Sequence, residues 1–259
     1  MVKNAGPSMV YEDTPRPVVA VGNDYPPDHE VAPHQHRRYQ LLYGARGVMM
    51  VWTEHGAWVV PPAQGVWIPF GVRHSVRTIG PVTTNSIFVE PDAISGMPFS
   101  CSVLGISPLM RSLLLEAVEI PLEYAVEGRD GLIMALLLEE VRRLPILPLS
   151  LPFPEDRELA RRCRRFVKDP NPHETIDDWA KNLGQSRRSF TRLFKRETGM
   201  SFAAWQRQAC LFSALPRLVA REPITQVALD LGYESPAAFT TMFRKALGVP
   251  PSEYVAAHD

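Results

Sequence analysis

The chain has 259 residues, 45% of them apolar, which favours two ordinary domains, each with its own core. Its three cysteines, Cys101, Cys163 and Cys210, stand far apart, which argues against a disulfide scaffold or a zinc finger and suits a reducing compartment. The net charge of zero hides an asymmetry: residues 1–154 carry 11 Lys and Arg against 15 Asp and Glu, whereas residues 155–259 carry 17 against 13, a mildly basic half compatible with nucleic acid.

Met1–Asp13 lacks the charged-then-apolar order of a secretion leader. The longest apolar stretches, such as Leu144–Leu151, are short and interrupted by prolines, so none is expected to span a bilayer. The expectation is a cytoplasmic protein with no membrane partner.

Residues 18–90 read as β-structure, with short runs rich in Val, Ile, Trp and Tyr between Gly and Pro turns. Strands are predicted around Val18–Val21, Tyr39–Tyr43, Gly47–Trp52, Ala57–Val60, Gly65–Ile68, His74–Thr78 and Ser86–Val89. Breaks are predicted at Pro26-Pro27, Gly44, His55-Gly56, Pro61-Pro62, Phe70-Gly71 and Gly80-Pro81. Short strands at this spacing suggest a sandwich or a barrel. Pro108–Ile120 and Gly131–Leu144 then read as helices, with Leu and Met at three- and four-residue spacing. Leu113–Leu115 and Leu136–Leu138 are apolar on more than one face, so these helices call for partners on two sides. The barrel is one; the same helices of a second copy, or further burial within the chain, is the other.

Leu144–Pro154, with prolines at 145, 148, 152 and 154, forbids continuous helix and reads as a semi-rigid extended connector whose leucines lie on a domain surface. The predicted organisation is a β-domain at 1–104, a helical coupling segment at 105–144, a linker at 145–154 and an all-helical domain at 155–259.

The last domain contains an internal repeat. Ile176–Gly184 aligns with Ile224–Gly232 at an offset of 48 residues, and Phe190, Phe194 and Gly199 align with Phe239, Phe243 and Gly248 at an offset of 49. Each copy fits a helix-turn-helix. Ala180 and Ala228 fall where two helices approach closely, and Gly184 and Gly232 fall where the first helix ends. Thr175 with Asp178 forms a capping box, Ser186 caps the second helix, and Ser235-Pro236 supplies an N-cap and N1 proline in the second copy. Leu193, Phe194, Met242 and Phe243 face the core.

The second helix of each copy would enter the major groove. In the first, Arg188, Thr191 and Arg192 share the outer face, flanked by Arg187 and Lys195, and arginine can bond guanine O6 and N7 together. In the second, Ala237, Thr240 and Thr241 occupy that face with Arg244 beyond, so thymine methyls, phosphates and groove shape are the expected contacts. The first copy is therefore predicted to supply more of the base specificity. Between the copies, Phe202–Leu215 reads as a helix ending near Pro216, a rod of about 21 Å. With the offsets of the reading helices it suits a separation of about 34 Å, one turn of DNA.

Residues 160–256 resemble the DNA-binding domain of the AraC/XylS family of transcription regulators, most closely over Ile224–Tyr254. Many members of that family carry a longer polar side chain where Pro236 and Ala237 stand here. Farther upstream, His34-Gln-His36 is followed by Gln40, and Pro69-Phe-Gly71-Val-Arg-His74 comes later. These resemble the two motifs of the cupin barrel, whose histidines and carboxylate bind a divalent metal; Gln40 stands where that carboxylate would be, and its oxygen is a poorer ligand. His34 and His36 share a strand face because side chains alternate. Three readings of His34, His36 and His74 stay open: structural or effector-binding groups, a sensing or structural metal site, or a catalytic metal. Trp52, Trp58, Trp67 or Tyr43 is expected to line the pocket. Tyr39–Tyr43 and Gly65–Ser75 further resemble the NimR-type subgroup of the family, which implies control of a neighbouring transporter or metabolic gene.

The resemblance implies a cupin-like β-barrel with C-terminal helices followed by an all-α double helix-turn-helix domain. It implies a homodimeric, non-enzymatic regulator of double-stranded DNA, modulated by a small molecule or metal. The rival reading is a cupin metalloenzyme fused to a DNA-binding domain.

Overall fold

A computed structural model of the chain describes residues 10–171 and 173–256. The expectation about a leader falls mostly on residues 1–9, outside the described residues. The fold divides into two compact units, one within Met1–Thr53 and Trp58–Leu147, the other within Glu54–Ala57 and Pro148–Asp259.

The first unit opens on a short 3₁₀ turn, Val10–Glu12. It then runs through β1 (Val18–Tyr25), β2 (Glu30–His34), β3 (Tyr39–Trp52), β4 (Gly56–Val60), β5 (Gln64–Ile68), β6 (His74–Val89), β7 (Ser102–Gly105), α1 (Pro108–Ala117), α2 (Arg129–Val141) and β8 (Ile146–Leu147). The sheet order is β1-β6-β3-β5-β7-β8, with β2 also on β6 and β4 on β3.

Two expected breaks prove to be irregularities inside long strands. The runs at 39–43 and 47–52 are halves of β3, and those at 74–78 and 86–89 are halves of β6. Gly44 pairs with Thr84, Arg46 with Thr83 and Val48 with Ile79, so the register shifts twice between them. Bulges of this kind bend a sheet without ending it. Gly47 sits in this bend at φ +78°, and a Cβ there would lie 2.3 Å from the Pro81 carbonyl oxygen. Gly47→Ala is therefore expected to lower stability by about 1–3 kcal/mol from backbone strain alone, and more from the collision. A thermal midpoint equal to that of the unsubstituted chain would contradict this account of the bend.

The pleat sorts the strands into two faces. Leu41, Tyr43, Trp67, Ile87 and Val89 join a core with Met110, Leu114, Ala117, Met134, Leu137 and Val141 of the two helices. Their neighbours Gln40, Leu42, Ser86 and Phe88 face the other way, into a cavity. The helices end at Ala117 and Val141, three residues earlier than expected. The sheet is one of the two partners they need. Leu109, Leu115, Leu132 and Leu136 stay exposed.

Apart from Glu54–Ala57, the second unit begins at Pro148, inside the connector, whose first part forms β8 of the first unit. Leu149, Leu151 and Phe153 are buried, as expected of leucines laid on a surface. The helices are α3 (Arg157–Lys168), α4 (Ile176–Asn182), α5 (Arg187–Thr198), α6 (Phe202–Val219), α7 (Ile224–Asp230), α8 (Pro236–Leu247) and α9 (Pro251–Ala256). The α6 rod runs through Pro216 to Val219, beyond the expected end near Pro216. A proline loses one backbone bond, but nine residues of α6 are buried and that packing offsets the loss. Eighteen residues give a rod of about 27 Å, longer than expected. Among the described residues no helix is long and apolar enough to cross a membrane.

Candidate nucleic-acid interface and sensor cavity

The two helix-turn-helix copies are built alike. Ala180 and Ala228 are buried, and Gly184 and Gly232 adopt φ +62° and +71°. In the first copy the Gln185 N–H donates to Ala180 O at 2.9 Å; in the second the Tyr233 N–H donates to Ala228 O at 3.0 Å. The same 5-residue closure thus seals both turns, and only a residue at ease in the left-handed region permits it. The Thr175–Asp178 capping box is present, and Ser186 and Ser235 cap α5 and α8 through their hydroxyls.

The back of each reading helix is anchored by aromatics. Phe190 and Phe194 are fully buried against Phe202, and Phe194 also meets Trp205 at 5.7 Å. Phe239 and Phe243 are fully buried in the second copy. Leu193 and Met242, expected in the core, are half-buried. The opposite face of α5 exposes Arg187, Arg188, Thr191, Arg192 and Lys195. Arg187 is engaged in an ion pair with Asp177 at 3.0 Å. Arg188, Arg192 and Lys195 have no side-chain hydrogen bond or ion pair among the described residues, so their donors are available. On α8, Ala237, Thr241 and Arg244 are exposed and Thr240 is half-buried. Thr191 and Thr241 each donate their hydroxyl hydrogen to the helix backbone, at Arg187 O and Ala237 O. The methyl group and the oxygen lone pairs remain as their outward chemistry.

In the β-domain the sheet encloses a cavity of about 630 Å³, within the range for small-molecule sites. Its walls are mainly apolar, from Val21, Val31, Leu42, Met49, Val76 and Phe88. His34, His36 and His74 come together at it, their nearest ring nitrogens within 4.8 Å of one another. The sequence expectation that Trp52, Trp58, Trp67 or Tyr43 lines the pocket is not met. Tyr43 and Trp67 point to the helix-packed face, on the opposite strand parity from Gln40 and Leu42, and Trp52 and Trp58 are not among the lining residues.

The His34 and His74 Nδ1–H groups donate to the carbonyls of Ala32 and Val72, at 2.8 and 2.9 Å. A carbonyl only accepts, so the proton sits on Nδ1 and each Nε2 carries a free lone pair. His36 Nδ1 lies 3.4 Å from Glu12 Oε1. His36 Nε2, His74 Nε2 and Gln40 Oε1 are buried with no hydrogen-bond partner. Gln40 is held through its amide N–H to Ser86 Oγ at 3.2 Å. Burial, with the neighbouring imidazoles adding to it, outweighs the polar contact of Gln40 with His36 and the Val72 carbonyl bond of His74, and lowers the pKa of both rings to about 4. Both rings are therefore neutral at pH 7, the form that accepts a hydrogen bond or a metal. Glu12, Tyr11 and Asn23 also belong to this region, and no spacing signal marked them in the sequence.

These shifts carry a pH prediction. In the unfolded chain both histidines titrate near 6.5, so between about 6.5 and 4 the unfolded state binds protons that the folded state refuses. The metal-free protein is expected to hold its full histidine contribution above pH 6.5 and to lose it progressively as pH falls towards 4. Urea midpoints measured across that range check it; a flat profile that steepens only below pH 4 would mean the rings titrate elsewhere.

Residues 16–141 match the AraC-like ligand binding domain, and residues 179–257 match a helix-turn-helix domain. The chain is 35% identical over 223 residues to the HTH-type transcriptional regulator NimR of Escherichia coli strain K12, covering 86% of this chain and 81% of that one. It is 29% identical over 136 residues to the arabinose operon regulatory protein of Salmonella typhimurium, covering 50% of this chain and 48% of that one. Among solved structures, ToxT from Vibrio cholerae aligns at 13% identity with a TM-score of 0.39, over 93% of this chain and 97% of its own.

Proposed function

The chain belongs to the AraC family of transcription regulators, and we propose that it reads a specific operator with both helix-turn-helix copies while occupancy of its β-domain cavity biases that binding. The observation that carries the reading is the two-sidedness of α5. Its phenylalanines are locked in an aromatic core, while Arg188 and Arg192 stand exposed and unengaged on the other side. A rigid helix with free guanidinium forks on its outer face is built to meet guanine edges. On α8, Ala237 and the back-bonded Thr241 suit thymine methyls, and Arg244 suits phosphate.

The cavity takes a small organic effector. His34, His36 and His74 would hold a divalent ion at its wall, with Gln40 Oε1 as a neutral fourth group. The orphaned buried Nε2 atoms and the orphaned Gln40 oxygen fit that donor set. A bound ion would supply positive charge and open coordination positions for donor atoms of the effector. The exposed Leu109, Leu115, Leu132 and Leu136 on α1 and α2 supply an apolar surface for a second copy, so two reading domains act on one operator. Effector control then requires that the ligand bind the two DNA-competent states with different affinity, typically by 1–3 kcal/mol.

The test is selection of bound duplexes from a random pool at stated salt, with and without added zinc. The expected result is a defined motif with half-sites spaced by whole helical turns. Recovery of no motif, with binding that vanishes as salt rises, would reduce the interaction to non-specific electrostatics and defeat the proposal.

A further inference from the structure

The three imidazoles are not held in the same way. His34 and His74 are each pinned through Nδ1 by the carbonyl two residues earlier in the chain. No such bond is formed by His36 among the described residues. The groups near its Nδ1 come from a segment 24 or 25 residues upstream: Glu12 Oε1 at 3.4 Å and the Tyr11 hydroxyl at 3.5 Å. Glu12 is a buried carboxylate, 6% exposed, at the end of the opening 3₁₀ turn. Its Oε2 accepts from the Arg37 backbone N–H at 2.9 Å and from Arg37 Nε at 3.3 Å, while its Oε1 has no hydrogen-bond partner. The Tyr11 ring stacks on Phe88 with centroids 3.9 Å apart and fixes this turn against the cavity wall.

A buried carboxylate oxygen without a partner is costly unless a donor faces it, and the His36 Nδ1 that lies 3.4 Å away can carry a proton. We propose that Glu12 is a positioning residue: its carboxylate keeps the proton of His36 on Nδ1 and so turns a free Nε2 lone pair toward His34 and His74. In this arrangement all three rings present the same nitrogen, two through their own backbone and the third through a side chain distant in sequence. An acceptor behind a ligating imidazole fixes its tautomer and raises its basicity, and losing such a group typically costs 10- to 100-fold in metal affinity. The consequence for metal rests on the reading of the histidine trio given above; the tautomer assignment does not.

The experiment uses the full chain, with Glu12→Ala and Glu12→Gln. Nitrogen chemical shifts of the labelled imidazoles report the tautomer in metal-free protein, and zinc titration reports affinity. The unsubstituted chain is expected to hold His36 as the Nδ1–H tautomer. Glu12→Ala is expected to shift His36 toward Nε2–H and to weaken zinc 10- to 100-fold. Glu12→Gln, whose amide oxygen still accepts, should largely retain the tautomer and keep zinc within a few-fold, which a merely space-filling role would not distinguish from alanine. An Nε2–H tautomer in the unsubstituted chain would assign the contact to the Tyr11 hydroxyl as donor and overturn the proposal. So would an alanine variant with unchanged shifts and unchanged zinc affinity. If no variant takes up zinc but the tautomer still switches on removing Glu12, the positioning role stands and the metal reading fails.

Discussion

Trp205→Ala is expected to destabilise the helical unit by about 3–5 kcal/mol and to abolish operator binding. Trp205 is fully buried in α6, and its ring meets Phe166, Trp179 and Phe194 at centroid distances of 5.7–5.9 Å. Its Nε1–H also donates to Pro152 O at 2.8 Å, which ties the connector to the rod between the two reading helices. Alanine would leave a cavity amid three aromatics, forfeit several ring contacts worth about 0.5–1.5 kcal/mol each, and strand the Pro152 carbonyl. Because Phe194 is the inner anchor of α5, the same change loosens the reading helix itself. Urea unfolding followed in the helical unit, with operator binding measured in parallel, checks this. A loss under about 1 kcal/mol would mean that the aromatic cluster is not what holds α5 in place.

Arg192→Ala should weaken binding to the selected operator by about 1–3 kcal/mol, roughly 5- to 150-fold, and should relax one base position. The argument turns on availability. Of the five α5 side chains named for DNA, Arg187 is held by Asp177 and Thr191 is bonded to its own backbone, whereas Arg188 and Arg192 are exposed and unengaged. Lys195→Ala is the comparison. A lysine presents a point charge, so its loss should weaken all sequences about equally and reduce the salt slope by about 1. Repeating the random-pool selection with each variant separates the two. If Arg192→Ala keeps the full motif and only weakens binding, Arg192 contacts phosphate and base reading lies elsewhere on α5.

The helical unit was largely legible because its signals are local. Glycines at 184 and 232, the Ser186 and Ser235 caps and the Thr175–Asp178 box each act within five residues, so their spacing in the chain is their geometry in space. His34, His36 and His74 were legible from their motif spacing, but not as a shared strand face: β2 ends at His34, His36 lies in the connection to β3, and His74 opens the long strand paired with β2. The β-domain was less so. Gly44 and Gly80 read as turns, but cross-strand pairing over 14- and 16-residue strands overrides them, leaving bulges. The strand Glu30–His34 escaped notice because it is mostly exposed, lacks alternating apolar residues and contains Pro33. Trp52, Trp58, Trp67 and Tyr43 were offered as alternative pocket aromatics because composition does not say which strand face is inward, and a shift of one residue exchanges the two faces. Glu12 had no signal at all, since only the tertiary path of the chain brings it to His36.

That separation of faces has an evolutionary corollary. Along β3 and β6 the residues that line the cavity and those that seat the helices lie on opposite faces, so neither set contributes side chains to the other's surface. Leu42, Met49, Val76 and Phe88 can be exchanged to admit a different molecule while Leu41, Tyr43, Ile87 and Val89 keep the seat of α1 and α2 intact. A duplicated copy of this gene can therefore change what its cavity admits by a few substitutions on one face of the sheet, and inherit the seat of its helices unchanged.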